Sequence, residues 1–381
     1  MAAPKIKNME RTYGFEEVAI VPGDVTINPD QTNTEFKIGN FTFNIPILAA
    51  AMDAAVDPNF AVLLHKLGGL AVLNLDGVQA RYKNPEEILA QIVKAPDKEV
   101  TGLLQKIYSE PVKEDLIAER VQTIKRAGAT CAVSLIPANT KRLAQAAKEA
   151  GADIIFVQST VTTARHISKS YRGLIFSDLC ETLGLPIVVG NCVTYSAALE
   201  LMRTGISGLL VGVGPGAACT TREVLGVGVP QVTATMNCAA ARAAYFKESG
   251  KYVTIITDGG MRTGSDVCKA LASGADAVML GSIMAQAEEA PGKGYHWGMS
   301  HPHPSLPRGT RIKAGVRAPL ERLLFGPTSA TDGTENFVGA LRTAMGVCGA
   351  LTIREMQQAK MVIAPSIKTE GKYFQSLQSV C

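Results

Sequence analysis

No stretch of the 381-residue chain approaches the ~18 consecutive apolar residues of a membrane-spanning helix. Its first segment, MAAPKIKNMERTYGFEEV, has no apolar core of secretory-leader length, so the expected location is the cytoplasm. The eight cysteines are dispersed, with no CxxC pair and no Cys/His cluster at metal-ligand spacing. That excludes a disulfide scaffold and a zinc site. Cys131 and Cys268 fall inside apolar patterns and read as ordinary buried thiols. A strong charge of either sign is also missing: the net charge is +4 and the Lys and Arg residues are scattered. Nucleic acid and an anionic membrane are therefore excluded as main partners.

What remains, 46% hydrophobic and 19% charged residues, is the balance of a globular protein large enough to bury a sizeable core. Ile45 to Ala51 reads as a buried strand ending at Met52-Asp53, and a helix from Pro58 to Leu67 leads to a second strand, Leu70 to Asn74. Residues 79–126 are charged and helix-forming, a helical excursion without a strand signal. A unit then recurs around Gly128, Gly151, Gly205 and Gly274: an amphipathic helix, a glycine cap, and an apolar run buried on both faces. Pro186 to Gly190 and Thr254 to Asp258 complete eight strands alternating with helices. That count predicts an α/β fold, a (β/α)8 TIM barrel over residues 1–364, with an open doubly wound sheet as the alternative. Residues 290–317, rich in Pro, Gly, His and Arg, read as a mobile flap after the eighth strand. Thr331 to Gly346 reads as a closing helix and residues 365–381 as a tail.

The stretch VGVGPGAACTTR, Val211 to Arg222, organises the rest. An apolar strand runs into alternate glycines (Gly212, Gly214, Gly216) and then Cys219, Thr220 and Thr221. Glycines let a ligand approach the backbone, and a cysteine just beyond a strand end can have its thiolate stabilised as a nucleophile. The same stretch also reads as a tight or phosphate-gripping loop with an incidental cysteine. In a TIM barrel the active site lies at the strand C-termini, which here carry Met52, Asp53, Asn74, Gln158, Ser159, Asn191, Asp258, Gly281 and Ser282. Asp258 can accept two hydrogen bonds from sugar hydroxyls, or it can cap the next helix.

IPILAAAMD, GNCVT, VGVGPGAACTTR, GVGVPQ, DGGMRTGSDVCKALASGADAVMLGS and YHWGM, in that order, resemble the signatures of the inosine monophosphate dehydrogenase and GMP reductase family. The likeness runs from about residue 10 to 350 and is closest to the short bacterial branch without the regulatory CBS module, since only the helical excursion occupies that place. It implies that Cys219 attacks carbon 2 of hypoxanthine, that Thr221 assists water activation, and that hydride passes to NAD. Met52, Gly298 and Met299 would line the base; Asp258 would hold the ribose; Gly216, Gly260, Gly281, Ser282 and Tyr295 would hold the phosphate end. Gln158, Ser159, Asn191, Gly212 and Gly214 would face the cofactor, and the backbone of Gly214, Gly216 and Cys219 would hold potassium. IMP, NAD and a homotetramer or octamer are the implied partners. The sequence departs from the pattern at Ala217, Leu210 and Gln158, where the family carries a serine, a basic residue and an acid. The flap has no Arg-Tyr pair; His301, His303, Arg308 and Arg311 stand there, of which Arg308 is the expected water-activating residue. GMP reductase with NADPH, or a silent purine-nucleotide-binding protein, are the competing readings. GVGVPQ, without an aromatic residue before its proline, favours the dehydrogenase.

Overall fold

The computed structural model describes residues 9–167, 173–298 and 303–364. Its centre is a closed barrel of eight parallel strands in sequential order. They are β1 (Ile47–Ala49), β2 (Leu70–Asn74), β3 (Ala132–Leu135), β4 (Ile154–Gln158), β5 (Ile187–Cys192), β6 (Gly208–Val211), β7 (Thr254–Asp258) and β8 (Ala277–Leu280). Parallel pairing of β8 with β1, Met279 opposite Leu48, closes the ring. The strands are short, nearly continuous apolar runs because both faces are covered, the inner by the opposite strands and the outer by helices.

The first barrel helix, α1 (Pro58–Lys66), starts where the Asp57 carboxylate accepts the Phe60 amide at 2.7 Å. After β2 come α2 (Pro85–Lys94), α3 (Val100–Ser109) and α4 (Glu114–Arg126). The predicted excursion is thus two structures. Helix α4 packs on α1 and on α5 (Pro137–Glu149) as a barrel helix, whereas α2 and α3 build a separate small core with Val78 and Trp297. The ring continues with α6 (Phe176–Leu183), α7 (Tyr195–Met202), the short α8 (Thr221–Leu225), α9 (Gln231–Ser249), α10 (Gly264–Ala272), α11 (Ser282–Ala285), α12 (Leu320–Phe325) and α13 (Phe337–Val347). The expected closing helix is α13, packed against α10. Each of the four repeated glycines has positive φ (76°, 106°, 90° and 108° at Gly128, Gly151, Gly205 and Gly274), which is why glycine recurs there.

Antiparallel ribbons decorate the barrel. Val18–Ile20 pairs with Met361–Ile363, and Tyr295–His296 pairs with Ile312–Lys313 at the base of the flap. The expected tail, 365–381, and positions 299–302 of the flap lie outside the described residues.

Candidate active site

The C-terminal ends of β1 and of β4 to β8 line one cavity of about 930 Å³, near the upper end of the ~300–1,000 Å³ usual for ligand sites, whereas Asn74 at the end of β2 is outside its lining. The loop after β6 forms its most elaborate wall. A Cβ on Gly212 would lie 2.3 Å from the Asp258 carbonyl oxygen, so only glycine lets this loop pass so close to β7. The loop is braced from within: Arg222 donates from Nη2 to the Val229 carbonyl at 2.8 Å, and the Gln231 amide donates to the Val211 and Asp258 carbonyls. The Cys219 amide turns back to the Gly216 carbonyl at 3.1 Å. The Cys219 thiol thereby faces the cavity and donates to Thr221 Oγ1 at 3.1 Å.

The flap docks on this loop. Gly309 forms an antiparallel bridge with Cys219, the Arg308 carbonyl accepts the Thr220 amide at 3.3 Å, and the Thr310 amide donates to the Ala218 carbonyl at 3.1 Å. This carries the Arg308 guanidinium into the cavity wall, 3.5 Å from Thr160 Oγ1 beyond β4. The flap's other basic residues go elsewhere. Arg311 binds α2, and His303 is exposed and accepts the Ser305 amide, outside the cavity lining; His301 lies outside the described residues.

Asp258, at the end of β7, accepts a hydrogen bond from the Asn191 side chain at 2.7 Å. Burial pushes its carboxyl up to about 6, against the opposing pull of Asn191. It does not cap the following helix, whose N-cap is Thr263. Gly259 and Gly260 follow with φ near 84° and 82°, lining the cavity beside Gly281 and Ser282. Met52 lines the same wall, and a Cβ on Gly281 would come within 2.8 Å of its Sδ. Gly298, Gly212, Gly214 and Gly216 also line it, while Met299 lies outside the described residues.

Gln158 lines the cavity from its floor, its amide oxygen accepting from Ser134 Oγ at 2.8 Å. Ser159 is turned toward its own loop, donating to the Val161 carbonyl at 2.8 Å. Asn191 is engaged with Asp258. Of the carbonyls expected to hold potassium, that of Gly216 already accepts the Cys219 amide. Tyr295 is a correction: it is not in the lining, and its ring is covered by the Arg311 guanidinium, 4.8 Å from the centroid. Alternation along the ribbon sends the next residue, His296, to the cavity instead.

The chemistry needs relatives to give it a name. Residues 12–300 match the family described as IMP dehydrogenase / GMP reductase domain. The chain belongs to this family. It is 37% identical over 366 residues to an "uncharacterized oxidoreductase" of Mycolicibacterium smegmatis, covering 94% of this chain and 98% of that one. Over 405 residues it is 28% identical to inosine-5'-monophosphate dehydrogenase of Cryptosporidium parvum, covering 96% of this chain and 94% of the other. Among solved structures, the IMP dehydrogenase/GMP reductase-like protein of Corynebacterium glutamicum superposes with a TM-score of 0.89 at 33% identity, covering 95% and 97%.

In this family member several lining residues escaped the sequence reading. Arg317 adds a guanidinium to the wall, Gln231 presents a buried side-chain oxygen without a partner, and Phe15 and Glu16 reach the cavity from the N-terminal segment. Arg262 is paired with Glu16 and Asp266. Arg317 closes the region predicted as flap, and that was its one signal. Phe15 and Glu16 had none, since they meet the site only through tertiary packing. Leu210, where the family carries a basic residue, is buried in β6 and adds no charge to the cavity.

Proposed function

We propose that this protein oxidises IMP to XMP with NAD through a covalent intermediate on Cys219. One observation carries the reading: a nucleophile, a hydroxyl partner and a flap guanidinium meet on one wall of the cavity that also holds the Asp258 carboxylate. Cys219 sulfur adds as thiolate to carbon 2 of the hypoxanthine ring, and the hydride on that carbon leaves for the nicotinamide. Water then adds at carbon 2, the carbon–sulfur bond breaks, and the thiolate is restored as XMP departs. Thr221, hydrogen-bonded to the sulfur, and Arg308, brought in by the flap, are the groups placed to orient that water.

Asp258 holds the ribose hydroxyls. The backbone at Gly216, Gly260, Gly281 and Ser282 receives the phosphate, with Arg317 supplying positive charge on a wall where Ala217 offers no hydroxyl. Met52, Gly298 and Met299 line the base. Gln158, Ser159, Asn191, Gly212 and Gly214 bound the cofactor side; no step requires a cation. The described cysteines are all free thiols, and no helix of the described residues is long and apolar enough to cross a membrane. The free thiols fit work in a reducing compartment. Assembly into a tetramer or octamer belongs to the same reading.

A dehydrogenase needs a water-orienting group beside the cysteine, and a reductase that releases ammonia does not; the docked Arg308 favours the former. The test is absorbance in the NADH band with IMP and NAD, and separately with GMP and NADPH. NADH formation in the first mixture alone is the expected result, and NADPH consumption in the second would assign the reductase.

A further inference from the structure

The two ends of the flap are both held by the helical pair inserted after β2. On the outgoing side, Trp297, the chain's single tryptophan, is 1% exposed and donates its indole N–H to the Tyr108 hydroxyl at 2.7 Å. Tyr108, on α3, donates in turn to the carboxylate of Asp53, which also accepts the Val78 amide at 3.0 Å. Asp53 directly follows Met52 in the cavity wall. On the return side, the Arg311 side chain is 4% exposed. Its Nη1 donates to the Ile92 and Val93 carbonyls in the last turn of α2, at 2.5 and 3.3 Å, and Nη2 reaches Asp97 at 2.5 Å.

The two anchors have different physical character. The last carbonyls of a helix carry partial negative charge, which favours a cation there; the Ile92 carbonyl already accepts the Ala95 amide at 3.3 Å, and the Arg311 guanidinium adds a second donor to it and reaches Val93 as well. The indole, phenol and carboxylate are polar groups inside an otherwise apolar cluster of Ala54, Val78, Leu104, Ile107 and their neighbours. Such groups are tolerated when they bond to one another; here Asp53 Oδ2 takes both bonds while the buried Oδ1 has none, and a hydrogen-bonded chain fixes geometry more sharply than apolar packing does. A plug serving only to fill space would need neither.

We propose that α2 and α3 form a clamp on the flap at Trp297 and Arg311, with Tyr108 and Arg311 as positioning residues that keep Arg308 and Gly309 seated on the Cys219 loop. In its catalytic part the inference rests on the reading given above; in its structural part it stands on contacts alone.

Trp297 makes the clamp observable without any chemistry. Acrylamide quenching of its fluorescence, and hydrogen exchange in peptides spanning 303–312, are measured on the full-length ligand-free protein as wild type, Arg311→Ala, Arg311→Lys, Tyr108→Phe and Asp97→Ala. Quenching and exchange should rise in Arg311→Ala and Tyr108→Phe. Arg311→Lys, which keeps a cation at the helix end, should restore part of the protection, and Asp97→Ala, whose carboxylate is 94% exposed, should match wild type. With IMP and NAD, Arg311→Ala should keep its first-turnover NADH burst within about twofold and lose ~10-fold in steady turnover, because the seating of Arg308 and not hydride transfer is impaired. The clamp is overturned if quenching and exchange in Arg311→Ala and Tyr108→Phe equal wild type. It is equally overturned if burst and steady rate fall together with a lowered melting temperature, the mark of a merely structural role. If wild type makes no NADH from IMP, the proposed reaction fails while fluorescence and exchange still decide the clamp.

Discussion

Asp258 carries two opposed demands. A carboxylate must be ionised to accept two ribose hydroxyls, yet burial at this wall holds its proton up to about 6. Between the ordinary carboxyl value of 3.8 and about 6 the folded protein keeps a proton that the unfolded chain has lost. The stability this contributes is therefore present at the acidic end of the window and is lost as pH rises toward 6. Asp258→Asn should raise the melting temperature of the ligand-free protein at neutral pH while weakening IMP. Affinity for IMP should fall as pH drops through 6, and the variant should lack that part of the pH dependence, as calorimetric titrations of both proteins would show. Asp258→Ala, removing both acceptors, should weaken IMP by ~2–4 kcal/mol, about 30- to 1,000-fold; an unchanged affinity would mean that the ribose lies elsewhere. The place of Asp258 on the cavity wall was legible from its position at a strand end, but its bond to Asn191 was not. That pairing joins residues on β5 and β7 across the mouth of the barrel, which no local pattern encodes.

At the scale of elements, the flap and the cysteine loop behave as one unit, since Gly309 pairs with Cys219 and the Arg308 carbonyl takes the Thr220 amide. Arg308→Ala should still release one NADH per site in a fast burst and then stall with the purine bound to Cys219. If the burst instead needs more IMP and saturated turnover survives, Arg308 is a phosphate ligand. A second element-level test concerns Asp276, just before β8. It accepts from Arg242 of α9 at 2.8 Å, Tyr252 at 2.5 Å, the Ile255 amide of β7 at 2.8 Å and Gln357 at 2.9 Å. Asp276→Ala removes the one carboxylate paired with the buried Arg242 guanidinium, leaving it Gln357 and the Tyr252 ring, and should cost about 3–5 kcal/mol in denaturant unfolding. A loss under about 1 kcal/mol would show the pair to be as weak as a surface ion pair. The repeated glycine caps made the barrel elements readable, because each needs a backbone conformation that other residues adopt at a cost. The anchoring of Arg311 was not legible: its partners on α2 are remote in sequence, and a lone arginine in a Pro- and Gly-rich stretch gives no hint of a helix end it will reach.

Over the whole molecule, the barrel supplies the rim, one loop of that rim carries Cys219, and the insertion after β2 holds Trp297 and Arg311 on either side of the segment that docks on that loop. The architecture could be read from sequence because buried parallel strands are short apolar runs set off by glycines and helices. The division of the 79–126 segment into a barrel helix and a separate pair with its own small core could not, since all of its helices share the same amphipathic pattern. The proposed reaction requires Cys219 to carry the substrate covalently between oxidation and hydrolysis. The most direct measurement is rapid mixing of the protein with IMP and NAD, acid quench within the first turnover, and mass spectrometry of the peptide containing Cys219. The predicted result is a purine nucleotide on Cys219 appearing in step with the NADH burst, and neither adduct nor NADH from Cys219→Ala although that variant still binds IMP. NADH formed at a comparable rate by Cys219→Ala, or a wild-type burst with Cys219 unmodified, would contradict it.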